Sequence, residues 1–76
     1  MAISAYVMLR ANPGAAFEVA KEAKKIQGVK VADAVAGPVD VILQVSSNNM
    51  KSLGKLVTGK IQKIEGVRSS TTCIVA

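Results

Sequence analysis

The amino-acid sequence predicts an α+β domain of ferredoxin-like, βαββαβ order: a four-stranded antiparallel sheet with two helices on one face. Three observations point there. Residues 29–35 and 41–45 are rich in β-branched side chains and flank Ala36-Gly37-Pro38-Val39-Asp40, whose adjacent glycine and proline mark the loop of a β-hairpin. Two other segments repeat apolar residues at three- and four-residue steps, the pattern of helices that bury one side. Finally, Lys25-Ile26-Gln27-Gly28-Val29-Lys30 is echoed by Lys63-Ile64-Glu65-Gly66-Val67-Arg68, each copy a helix end, a glycine and a strand start. With a strand ahead of each helix, the order is β-α-β twice. The 76 residues are read as one domain, 1–76.

The first strand spans residues 3–9. Ile3, Ala5, Val7 and Leu9 point one way, and Ser4, Tyr6, Met8 and Arg10 the other. Asn12-Pro13-Gly14 is a turn into the first helix, with Asn12 as its cap. That helix is predicted over 15–27, burying Ala16, Val19, Ala20, Ala23 and Ile26, and Gly28 closes it in the left-handed region. After the hairpin, Ser47-Asn48-Asn49 caps a second helix whose stripe is Met50, Leu53, Val57, Ile61 and Ile64. Gly54 and Gly59 inside it weaken it relative to alanine. Gly66 ends it, and residues 67–75 are the last strand.

Composition removes several function classes. There is no histidine and one cysteine, Cys73, so imidazole acid–base chemistry, a Cys–His pair, an ordinary zinc site and an intrachain disulfide are all absent. No nucleophile–base pair and no phosphate-binding glycine loop follows a strand, so no enzyme is expected, and no cofactor. No apolar run approaches the ~20 residues of a membrane span, nor does the start resemble a signal peptide; a cytoplasmic protein with no membrane contact is expected. The net charge of +5 comes from lysines spread over both helices, which read first as solvated faces.

Half the residues are hydrophobic, with one Phe, one Tyr and no Trp. That is more apolar material than one small core hides, so self-association is expected. The sheet face away from the helices needs a cover. Tyr6 and Met8 lie on it. In the last strand, Val67, Ser69, Thr71, Cys73 and Val75 are expected to face the helices, and Arg68, Ser70, Thr72 and Ile74 the open side. A second copy, sheet against sheet, is the simplest cover. Single-stranded RNA is a poor one, because the stacking aromatics that such platforms use are missing.

Asp40 is the most informative residue. It either offers a carboxylate to a ligand ammonium group or accepts from backbone N–H groups in a turn, the commoner role. Ser70 and Thr72 place two hydroxyls on one strand face, fit to orient a polar ligand or simply good strand residues. Cys73 is expected to pack as a small apolar residue.

Across Ala34-Val35-Ala36-Gly37-Pro38-Val39-Asp40-Val41-Ile42-Leu43, the chain resembles the Gly-x-x-Asp hairpin of the effector-binding (RAM) domain of the Lrp/AsnC, or leucine-responsive, transcription regulators. Ile64-Glu65-Gly66-Val67-Arg68-Ser69-Ser70-Thr71-Thr72-Cys73-Ile74-Val75 is similar to that family's closing Gly-Val and Thr-x-Thr strand. The resemblance covers the whole chain. It implies sheet-to-sheet homodimers of α/β-barrel type, assembly into rings such as octamers or decamers, and amino-acid effectors held at contacts between dimers. The ligand residues it implies are Gly37, Val39 and Asp40 from the hairpin, with Ser70 and Thr72 at the two hydroxyl positions. Val39 stands where the family usually has an aromatic residue, and Ser70 where it has Thr, which bears on ligand identity.

The regulators carry a helix-turn-helix domain ahead of this one. Here Met1 sits just before the first strand, so a stand-alone effector module is expected, without specific DNA binding of its own. It would sense amino acids or co-assemble with a full-length Lrp/AsnC regulator. Three alternatives stay open: an ACT-like amino-acid sensor using the loop at Asn12-Pro13-Gly14, a structural or adaptor partner without ligand, and a basic nucleic-acid binder.

Overall fold

The computed structural model describes residues 2–76. Its elements run β1 (Ile3–Ala11), α1 (Ala16–Lys24), β2 (Val29–Ala34), β3 (Val41–Ser47), α2 (Met50–Leu56), a π-helical turn (Val57–Ile61) and β4 (Val67–Ile74). The strands form one antiparallel sheet in the order β2-β3-β1-β4. This is the βαββαβ order that the sequence predicts. Among the described residues no helix is long and apolar enough to cross a membrane.

The core lies between helices and sheet and is wholly aliphatic. Ala5, Val7 and Leu9 of β1 and Val41, Leu43 and Val45 of β3 are fully buried, under Val19, Ala20 and Ala23 of α1 and Leu53, Leu56, Val57 and Ile61 of the second helix. The period-2 and period-3.6 patterns converge on this one layer.

Local differences from expectation have local causes. α1 stops at Lys24 because the chain tightens there: Lys25 and Ile26 N–H donate three residues back, to Glu22 O and Ala23 O, and Gly28 turns the chain at φ 100°. Asn12 is not the cap of α1. Ala15 holds that position with no side-chain bond, while the Asn12 backbone bridges Gly66 O and Ala15 N–H. The second helix is capped as expected, the Asn49 side chain accepting from Ser52 N–H at 2.8 Å. It then widens: Gln62 N–H donates to Val57 O, five residues back, and Thr58 Oγ1 donates to Gly54 O. Gly54 has open space where a side chain would stand. Gly54→Ala is therefore expected to raise stability by up to about 1 kcal/mol, seen as a higher denaturant midpoint with an unchanged m-value.

The face assignment of β4 is corrected. Ala11 pairs with Val67 but Arg10 pairs with Ser69, so Arg68 is an extra, bulged residue and the alternation slips by one. Ser70, Thr72 and Ile74 therefore pair with Leu9, Val7 and Ala5 on the helix side, while Ser69, Thr71 and Cys73 share the open face with Arg10, Met8 and Tyr6. Cys73 is exposed there rather than packed in a core. β2 carries a matching bulge at Lys30, between the pairs Val29–Val45 and Val31–Gln44. The sequence echo thus extends to the backbone: a glycine near φ 100°, a valine in or against the core, then a bulged basic residue, twice.

Candidate functional site

The β2–β3 loop closes through Val35 N–H to Asp40 O at 2.9 Å. Gly37 and Pro38 stand exposed at its tip, and Val39 and Asp40 are half-buried at its return into the sheet. Asp40 N–H donates to Leu9 O at 2.9 Å, which carries the pairing of β1 one residue past Val41. The Asp40 side chain then takes over: Oδ2 accepts from Ala11 N–H at 2.9 Å, 29 residues away in sequence. Where β3 bends off into the loop, the carboxylate supplies the acceptor that a strand carbonyl would otherwise give. On the other side of the β1 exit, Asn12 N–H donates to Gly66 O at 2.8 Å.

Asp40 is thus a backbone-binding carboxylate, but across strands rather than within its own turn. One oxygen holds Ala11. Among the described residues no cation pairs with the group, so its second oxygen is available to a donor from outside.

Ser70 sits opposite Leu9 on the far side of β1. Asp40 and Ser70 therefore share one end of the sheet, separated by two strand spacings, about 10 Å. The Ser70 hydroxyl is engaged by Gln62 Nε2 at 2.7 Å, beneath the end of the second helix. Thr72 lies two residues further along, exposed, opposite Val7. Gly37, Val39 and Asp40 form one group and Ser70 and Thr72 another. β1 lies between the two groups.

The cavities described among these residues lie elsewhere. Three, of about 490, 540 and 220 Å³, are lined by none of the five residues. The first two are grooves on the helix side, whose opposite charges are not visible in the even spread of lysines along the sequence. The third borders the hairpin end through Arg10.

The open face of the sheet supplies a surface that continues from it. Tyr6, 46 % exposed, lies between Gln44 and Cys73, and Met8 between Ile42 and Thr71. Val31 and Asp33 extend the face over β2. Its centre is apolar, and Arg10 and Asp33 lie toward the hairpin end.

The Lrp/AsnC ligand binding domain family matches residues 4–76. An uncharacterized HTH-type transcriptional regulator of Pyrococcus furiosus, PF0250, is 35% identical over 74 residues, covering 93% of this chain and 49% of the relative. The chain spans about half the length of the curated relatives it matches. Among solved structures, FFRP-DM1 superimposes with a TM-score of 0.91 at 27% identity, over 97% of this chain and 99% of that one. The regulator NMB0573 of Neisseria meningitidis, solved as a complex with L-Met, shares the fold with a TM-score of 0.85 at 21% identity, over 97% of this chain and 49% of that one.

Proposed function

The chain belongs to the Lrp/AsnC ligand binding domain family of transcription regulators, and from that premise we propose that it is an amino-acid-binding module whose site is completed between copies. The observation that carries this is the state of Asp40: a half-buried carboxylate fixed through one oxygen by Ala11 N–H, with the second oxygen free to take an ammonium group. Fixing the group beforehand lowers the ordering cost of binding. The complex of the Neisseria protein with L-Met supports the ligand class.

Two features favour a site shared by copies. None of the three cavities described takes in Asp40, Ser70 or Thr72, and β1 lies between Asp40 and a Ser70 hydroxyl that Gln62 already engages. In a ring of sheet-to-sheet dimers, the hairpin of one copy meets the ligand with hydroxyls from another. The same surfaces allow co-assembly with a full-length regulator. The effector then acts by favouring one arrangement of copies over another, which requires unequal affinity for the two.

A thermal-shift panel with the common amino acids tests this. A ligand at a hundredfold its Kd stabilises by about 2.7 kcal/mol, which moves the midpoint of a domain this size by roughly 10–20 °C. Asp40→Asn separates the two roles of the residue, because the amide oxygen still accepts from Ala11 N–H while the charge is gone. Loss of the shift in Asp40→Asn, with the unliganded midpoint kept, is the expected result. A shift retained in Asp40→Asn and in Asp40→Ala would place the ligand elsewhere, as the ACT-like reading does. A flat panel on the assembled parent chain would favour a structural partner without ligand.

A further inference from the structure

The two halves of the chain build two equivalent grooves on the helix side, each between one helix and the loop that follows the other. In the first, Glu18 and Glu22 of α1 face Lys63 and Glu65 after the second helix; in the other, Ser52, Lys55 and Lys60 of the second helix face Gln27 and Lys30 after α1. Their lining charges are opposite. The first carries three glutamates and one lysine, the second three lysines and no acid.

The lysines of the second groove are gathered by backbone irregularities. Lys30 is the bulged residue of β2, and a bulge re-aims its side chain. Lys55 and Lys60 are five apart, about 140° around an α-helix and so on different sides; the π turn at Val57–Ile61 widens the helix and brings both to this groove. A fourth ammonium, of Lys24, is held nearby by its hydrogen bond to Lys30 O at 2.7 Å. Gathering like charges costs energy in the free protein, and an anion relieves it.

We propose that this groove is a binding site for a small phosphate-bearing anion of nucleoside-phosphate size. Its volume, about 540 Å³, falls within the ~300–1,000 Å³ range of small-molecule pockets. Lys30, Lys55 and Lys60 meet the phosphates, and Gln27, Ser47 and Ser52 supply neutral polar groups at the same wall. The acidic groove of a second copy is a poorer occupant, since two concave surfaces do not seat in one another. The site stands apart from the hairpin end and would give the module a second input.

Isothermal titration calorimetry of the intact chain with pyrophosphate, ADP and adenosine tests this. Pyrophosphate and ADP are expected to bind saturably and adenosine not to bind. Lys60→Gln and Lys30→Gln should each weaken ADP about tenfold. Lys63→Gln removes the same charge from the acidic groove and should leave the affinity unchanged. Absence of saturation by both phosphates in low salt overturns the proposal. So does equal weakening by Lys63→Gln, which would show general charge rather than a groove. Binding of a single-stranded oligonucleotide with none of pyrophosphate or ADP also overturns it, in favour of an extended polyanion surface.

Discussion

If the proposed sheet-to-sheet dimer forms, Ile42→Asp is expected to yield a folded monomer at concentrations where the parent chain is dimeric. Ile42 sits in the second strand from one edge, on the open face, next to Met8 on one side and Asp33 on the other. Its neighbours in sequence, Val41 and Leu43, are the ones buried under the helices, so the exchange leaves the core untouched. In the free chain the new carboxylate stays wet, and its like-charge contact with Asp33 costs at most about 1 kcal/mol. In a sheet-to-sheet dimer the two-fold axis brings in each copy's new charge, unpaired and stripped of water, at several kcal/mol per ion. Molar mass by light scattering and circular dichroism are the two readouts: mass falls to one chain, and the spectrum is kept. Phe17→Asp is the counterpart. Phe17 is 83 % exposed at the start of α1, the most exposed large apolar side chain described. If mass falls with Phe17→Asp and not with Ile42→Asp, copies join through the helix layer and the sheet-to-sheet reading is wrong.

Gly66→Ala and Gly28→Ala are expected to destabilise by about 2–4 kcal/mol each, from left-handed backbone strain of ~1–2 kcal/mol plus overpacking. Both glycines sit near φ 100°. A Cβ at Gly66 would stand 3.2 Å from both Ala15 Cβ and Val19 Cγ2, and one at Gly28 3.2 Å from a Leu56 methyl and from Ser46 O. Each helix therefore lies directly on the loop that ends the other. A 76-residue chain has on the order of 4–11 kcal/mol in total, so either change removes a large share. Urea melts measure it, and a loss below about 1 kcal/mol at Gly66 would mean that the helix lifts to make room.

The parts of the fold that a local pattern determines are legible in the sequence. The stripe at Leu53, Val57 and Ile61 and the alternation of Val7 and Leu9 mark one buried layer because side-chain direction follows from helix and strand periods alone. The glycines at 28 and 66 are legible for the same reason. The faces of Ser70 and Thr72 are not. Period-2 counting assumes an unbroken ladder, and Arg68, an ordinary strand residue in sequence, is skipped by its partner. Asp40 stands out as an acid at a strand start, but its partner is the Ala11 amide, 29 residues away, and no local spacing encodes that. The grooves are hidden similarly, since the π turn that gathers Lys55 and Lys60 has no sequence period of its own.

The paired bulges also bear on what the two edges of the sheet can accept. β2 and β4 are the two outermost strands, and each presents a row of open backbone groups that could add a further strand. An unbroken, flat edge of that kind is a template for open-ended polymerisation. Here each edge begins with a kink carrying a cation, Lys30 on one side and Arg68 on the other. A neighbour trying to continue the ladder meets a mismatch in hydrogen-bond spacing and a charge of its own sign. Edge-on growth into fibres is therefore disfavoured on both flanks of a chain half of whose residues are hydrophobic.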